Sequence, residues 1–360
     1  LDPEGTVPLR LNRNEYFFHH AEGVASLLAE GDACEGRRYA LPGDAAHFRA
    51  ALALALGVEP GPRGKGEPGV CLFHGAEDAL LKIMLWRAAS TSRVILPDFS
   101  WNTYAQLAQG LDLSVETFPV LTSGDAEGNL GFSYDLASLD AMLAHIDEVA
   151  LVILATPNNP TGHVVPAADL LRLVARHPRH AFVLDAVYDA FPSSLATLAS
   201  SCPNVTVLGS MSKFFGLPGL RLGYGVGLFP DAFHLPLGFN PYALRVAAAA
   251  LEARSHYALN WTTLRAEANL LREALAPVSP GAFVVCETHA SFLLVRLEFE
   301  PDDALYERLA HESGAMPKAF AHGGRRYLRW GLGPAEVCAR IADYMRRLSA
   351  MSPSAMKRTS

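Results

Sequence analysis

The chain has 360 residues, half of them hydrophobic and 19% charged, a balance that excludes a disordered or low-complexity protein. At roughly 100–200 residues per domain this length points to two domains. Thirty basic against 37 acidic residues leave a formal charge of −7 with no long basic run, which argues against nucleic-acid binding.

The first residues, LDPEGTVPLRL, lack the charged-then-apolar pattern of a secretory leader. No apolar stretch reaches the ~18–20 residues of a membrane span, and no membrane association is expected. The five cysteines (Cys34, Cys71, Cys202, Cys286, Cys338) are scattered without a CxxC pair. That pattern argues against a disulfide framework or a structural zinc site, and for buried thiols of a cytoplasmic protein. The histidines show no paired ligand spacing, so no metal is expected.

Strands and helices alternate from about residue 70 to 225. GAEDALLKIMLWRAA has helical apolar spacing and an acidic first turn. SRVILPD reads as a strand, SWNTYAQLAQGL as a helix, LSVETFPV as a strand and YDLASLDAMLAHI as a helix. VALVILATP is the near-continuous apolar run of a parallel strand covered on both faces. A helix over 166–177 and the strands AFVLDAVY, VTVLGSM and LRLGYGVG follow. This alternation specifies an α/β domain with a mostly parallel sheet. After residue 241 the pattern changes. A long helical stretch with a bend over 242–275 precedes strands AFVVCET and SFLLVRLE, helix DDALYERLAHES, strand RRYLRWGL and helix AEVCARIADYMRRL. These predict a smaller α+β domain. The boundaries read as 36–240 for the large domain, 1–35 with 241–350 for the small one, and 351–360 for a frayed tail.

Four segments carry chemistry. In SMSKFFGLPGLRLGYG, Lys213 follows a strand end and sits among Ser210, Ser212 and Arg221. Hydroxyls and a guanidinium converging beside an amine suit pyridoxal phosphate, which needs a lysine for the Schiff base and donors for the phosphate. Asp185 ends AFVLD, a common site position in α/β folds, and a carboxylate there keeps a pyridine nitrogen protonated. Tyr188 is three residues on. ATPNNPTG offers Asn159 at a strand's C-terminal edge, and Gly75-Ala76-Glu77 opens a helix whose amides can bind phosphate.

SxSKxxGLPGLRLGY, PNNPTG and DxxY in this order resemble the fold-type-I, pyridoxal-phosphate-dependent aminotransferases of classes I and II, over about residues 9–350. LNRNEY, the Arg37–Tyr39 segment and LRWGLG are most similar to the histidinol-phosphate aminotransferase branch. The resemblance implies a large α/β/α domain with a smaller α+β domain, amino-acid and 2-oxo-acid substrates, and a homodimer. It implies that Lys213 is the Schiff-base lysine and proton shuttle and that Asp185 pairs with the ring nitrogen. Asn159 and Tyr188 would hold the ring oxygen, and Phe99 would stack on the ring. Gly75, Ala76, Glu77, Ser210, Ser212 and Arg221 would surround the phosphate, and Tyr39 would reach it from the neighbouring subunit. Arg329 would clamp a carboxylate, with Lys318, Asn12 and Asn159 beside the substrate.

The chain departs from the branch in several places. A Pro-Tyr element is missing, Lys318 replaces an arginine, and Ala290-Ser291 stand near a usual asparagine. DAVY replaces DEAY, and Trp101 and Tyr104 replace a tighter tyrosine pattern. A reshaped pocket follows, in which an amino acid with a sizeable polar or aromatic side chain is expected to compete with histidinol phosphate. Decarboxylation, elimination or cyclisation on the same scaffold, as in threonine-phosphate decarboxylase-like relatives, is the alternative reaction. Which bond breaks depends on the substituent held perpendicular to the ring, and the motifs do not report it.

Overall fold

A computed structural model describes residues 8–31, 39–61, 66–124, 130–234, 238–278, 281–299 and 303–351. Cys34, Arg37 and the tail after Met351 lie outside the described residues. Two helices, α1 (Glu22–Glu30) and α2 (Pro42–Leu56), lead into the first strand. The large unit then runs β1 (Gly69–Phe73), α3 (Ala76–Arg87), β2 (Arg93–Pro97), α4 (Thr103–Gly110), β3 (Ser114–Phe118), β4 (Val120–Gly124), β5 (Leu130–Tyr134) and α5 (Leu136–Ala144). It continues through β6 (Leu151–Ala155), α6 (Ala167–Arg176), β7 (Ala181–Asp185), α7 (Ser193–Ser201), β8 (Val205–Ser210) and β9 (Gly223–Gly227). The rest is α8 (Pro241–Glu252), α9 (Arg254–Leu275), β10 (Phe283–Val285), β11 (Phe292–Leu297), α10 (Asp303–Ser313), β12 (Lys318–His322), β13 (Arg325–Gly331) and α11 (Ala335–Ala350).

Seven strands form the main sheet in the order β1-β9-β8-β7-β6-β2-β3. Strands β6, β7 and β8 are buried at every position, as a sheet covered on both faces demands. Their side chains alternate between two cores: Leu151 and Ile153 enter one, Val152 and Leu154 the other. All pairings are parallel except those of β9, which runs against both β8 and β1. The expected α/β architecture with a mostly parallel sheet is therefore present.

The second sheet, β10-β11-β13-β12, is antiparallel. It packs on α9 and α11 around Leu271, Leu293, Trp330, Ile341 and Tyr344. The expected bend in the long helix falls at Ala253, between α8 and α9. Apolar side chains of α1 and α8, such as Val24, Leu244 and Ala247, join the core of the large sheet. Among the described residues no helix is long and apolar enough to cross a membrane.

Three features were not anticipated. The β4–β5 hairpin has mostly exposed residues on β4, so its apolar alternation is weak. Helix α7 (SSLATLASS) is rich in serine, a poor helix former, and is held by its buried Leu195, Ala196, Leu198 and Ala199. Strand β12 (KAFAH) is largely exposed and gains its order by pairing with β13.

Candidate active site

The strand ends place the site. Because β9 is reversed, its first residue Gly223 pairs with the last residues of both neighbours, Ser210 of β8 and Phe73 of β1. Arg221, Ser212 and Gly75 therefore emerge from one edge of the sheet, where the parallel strands also end at Asp185 and Ala155. This is the carboxyl edge at which α/β sheets bind ligands.

A cavity of about 290 Å³ opens there. It brings together eight residues expected from the sequence: Asn12, Ala76, Asn159, Asp185, Tyr188, Lys213, Lys318 and Arg329. Arg13, Trp101, Tyr104, Ala155 and Val187 complete the lining.

Beside it lies a cradle for a phosphate. No side chain caps helix α3 at Gly75, so the amides of its first turn, including those of Ala76 and Glu77, face outward. Gly75 has φ +92°, and a methyl group on it would come within 2.7 Å of Arg221 Nη2. A methyl on Gly223 would come within 2.5 Å of the Gly75 carbonyl carbon. Both glycines are thus needed for the guanidinium and the helix end to approach this closely. The Ser210 hydroxyl donates to Ser212 Oγ (2.8 Å), and the Ser212 amide donates to Ser210 Oγ (3.0 Å). That arrangement directs the Ser212 hydroxyl proton onward. A helix N-terminus, a hydroxyl and a guanidinium side by side, next to a lysine, fit the phosphate and aldehyde ends of pyridoxal phosphate.

Asp185 is buried at the cavity floor. Its Oδ1 accepts from the Val187 amide (3.0 Å) and its Oδ2 from the Tyr104 hydroxyl (2.6 Å). Burial pushes its carboxyl above the usual range, and these two donors pull against that rise. Lys213 Nζ donates to the backbone carbonyls of Arg13 (3.0 Å) and Asn14 (2.9 Å), and lies 5.7 Å from the centre of the Tyr188 ring. Asn14 is left-handed (φ +52°), and its amide donates to the Tyr188 hydroxyl at 2.9 Å.

Arg329 is buried between the rings of Phe292 (5.2 Å) and Phe320 (5.3 Å). It donates to Asn159 Oδ1 and to the Asn12 carbonyl (2.8 Å), while its Nε has no hydrogen-bond partner. Strand register sets Lys318 directly opposite Arg329. Burial, and then the Arg329 charge, lower the Lys318 ammonium, and no carboxylate forms an ion pair with either cation among the described residues. Two facing cations in a cavity call for a ligand with more than one negative oxygen.

Phe99 does not hold the place expected for it. Its ring is buried and stacked on His322 (4.4 Å, 3°), outside the cavity, while Trp101 two residues on lines the cavity. Asn158 pins this turn by donating to the Phe99 carbonyl (2.9 Å) and to Thr161 Oγ1 (2.7 Å), which leaves Asn159 to face the site. Tyr39 is 85% exposed and is not part of the lining of its own subunit's cavity. Asn14 and Tyr104 were absent from the expected site. Their signals were the second Asn of LNRNEY and a tyrosine one helical turn after Trp101. Among the described residues no group of three or more His, Cys, Asp or Glu side chains stands ready for a metal.

The aminotransferase class I and II family profile matches residues 6–344. Histidinol-phosphate aminotransferase 1 of Trichormus variabilis is 27% identical over 317 residues, covering 86% of this chain and 83% of that protein. The histidinol-phosphate aminotransferase of Sinorhizobium meliloti, solved in complex with pyridoxal 5'-phosphate, superposes with a TM-score of 0.75 at 20% identity, covering 96% of this chain and 91% of the other. L-threonine-O-3-phosphate decarboxylase of Porphyromonas gingivalis has the same fold, with a TM-score of 0.73 at 20% identity over 94% and 98% of the two chains. The profile and the site agree: the chain belongs to the aminotransferase class I and II family, and it is a pyridoxal-phosphate-dependent aminotransferase.

Proposed function

We propose that the protein moves an amino group from an anionic amine to a 2-oxo acid, in two half-reactions at one site. The observation that carries this reading is the in-register pair of Lys318 and Arg329 facing the cavity that holds Lys213 and Asp185. Pyridoxal phosphate supplies an electron sink conjugated to the substrate nitrogen. The amides of Ala76 and Glu77, the Ser212 hydroxyl and Arg221 hold its phosphate. Trp101, in place of Phe99, covers its ring, and Asn159 and Tyr188 hold its ring oxygen. Asp185 keeps a proton on its ring nitrogen. Nζ of Lys213 takes the proton from the substrate Cα, once released from the carbonyls of Arg13 and Asn14. Arg329 binds the anionic group of each substrate, and Lys318 adds a second charge for a phosphate or a second carboxylate. The names of the relatives support histidinol phosphate as one donor in this reading, and Lys318, a point charge rather than a planar fork, also suits anionic amino acids.

The working unit in this reading is a homodimer in which Tyr39 reaches the phosphate of the other subunit. Its exposure and its absence from the lining of its own cavity support that assignment. Mixing Tyr39→Phe and Lys213→Ala proteins should restore one good site per heterodimer, and heterodimers without recovery would refute sharing. The test of the reaction is a kcat/KM comparison of histidinol phosphate with polar and aromatic amino acids, using 2-oxoglutarate as acceptor. Release of carbon dioxide or ammonia in place of amino transfer would overturn the reading. A histidinol phosphate preference above ~100-fold, about 2.7 kcal/mol, would overturn the broader donor range alone.

A further inference from the structure

Tyr104 is fully buried at the start of α4, and its hydroxyl meets a group it need not meet for packing alone. Its oxygen lies 2.6 Å from Asp185 Oδ2, on the side of the carboxylate away from the Val187 amide. Trp101 stands edge-on to the Tyr104 ring at 5.4 Å and 84°, so the cavity wall and the aspartate's donor are one aromatic unit. A carboxylate in this low-dielectric floor is stabilised by each donor aimed at it. With one oxygen taken by a backbone amide and the other by Tyr104, the side chain's rotation is fixed.

We propose that Tyr104 is a positioning residue, whose hydroxyl holds the Asp185 carboxylate in one orientation and in its charged form. The other groups facing this pair do not compete for the role. The Tyr134 hydroxyl is committed to the Ala155 carbonyl (2.7 Å), and the Tyr188 hydroxyl accepts from Asn14. Burial and the Asp185 charge hold the Tyr104 phenol well above its ordinary range, so it remains a donor at every working pH. The inference rests on the reading of Asp185 as the partner of the ring nitrogen, and its test separates the two.

The measurement is a pH titration of the Asp185 carboxyl by ¹³C NMR in apoprotein labelled at aspartate Cγ, with the resonance assigned by its loss in Asp185→Asn. Tyr104→Phe removes one oxygen atom and should move the titration upward by about one pH unit. Replacing Tyr104 by 3-fluorotyrosine, a stronger donor of the same shape, should move it downward. In the loaded enzyme Tyr104→Phe should lower kcat about tenfold to hundredfold with KM little changed, and should add almost nothing to Asp185→Asn. An unmoved titration in a natively folded Tyr104→Phe protein would overturn the proposal and leave Tyr104 a packing residue. If Tyr104→Phe does not fold, the fluorinated protein decides, and no shift there refutes the role. Normal turnover in Asp185→Asn would sink the reading of Asp185 while the titration still judged Tyr104.

Discussion

The two ends of the cavity are built in different ways. The proposed phosphate end is framed by backbone, an uncapped helix, two glycines and a serine turn fixed by the register of β1, β9 and β8, to which the Ser212 hydroxyl and the Arg221 guanidinium are added. The substrate end is made of long side chains, Lys318 and Arg329, on the second sheet, closed by residues near the chain start. A backbone cradle tolerates little and recognises one shape. A pair of cations on a strand edge recognises charge, and changes its preference with one substitution. In the proposed reading, cofactor identity and substrate identity are therefore separately encoded.

The largest expected effect lies where the two ends meet. Lys213→Ala should lower turnover by about 10⁴-fold or more, since in the proposed reading Lys213 both binds the cofactor and moves the proton at Cα. Borohydride should fix the cofactor to Lys213 in the wild type, and labelling of another lysine would reject the assignment. Asp185→Asn should cost about 10²–10³-fold in kcat with the cofactor still bound, as when a preorganised charge partner is lost.

His163 provides a stability counterpart. Burial, with His289 as a second cause, lowers its imidazole from 6.5 to about 4. A depressed histidine is neutral when folded and protonates first in the unfolded chain, so its contribution is complete above pH 6.5 and is lost as pH falls towards 4. The loss should be about 3 kcal/mol. Denaturant midpoints across that window should show the slope, and His163→Asn should flatten it.

The two smaller effects break the comparison most directly. Arg329→Lys should lower kcat/KM about 10²-fold while the cofactor's Kd stays put, because a fork is replaced by a point charge. Gly75→Ala should do the reverse. With φ at +92° and Arg221 2.7 Å from the new methyl, cofactor binding should weaken about tenfold, with the ratio of kcat/KM values between donors unchanged. If either variant moves both quantities alike, the two ends are not independent.

This division also explains what was legible in the sequence. The large sheet announced itself through apolar runs such as LVILA, and the phosphate end through contiguous motifs at 75–77 and 210–221. Asn14 and Tyr104 escaped because their partners, Tyr188 and Asp185, lie 174 and 81 residues away. Phe99 was taken for Trp101 because both follow the same strand end. Only the three-dimensional turn, pinned by Asn158, decides which ring enters the cavity. Strand β12 was missed because pairing, not apolar alternation, orders it, although its first residue Lys318 was noticed as a charge.

The reversal of β9 has a consequence for how compact a signature can be. Parallel neighbours must return to the same edge by a crossover, so Asp185 at the end of β7 is separated from the start of β8 by a stretch that includes all of α7. An antiparallel neighbour needs only a loop. The chain leaves the edge at Ser210 and re-enters it at Gly223, and both the lysine and the arginine ride on that single excursion. Lys213 and Arg221, the amine and the guanidinium of the proposed cofactor site, therefore lie within one short run of sequence. Insertions there would part them, whereas insertions beyond Tyr188, around α7, would fall outside the cavity lining.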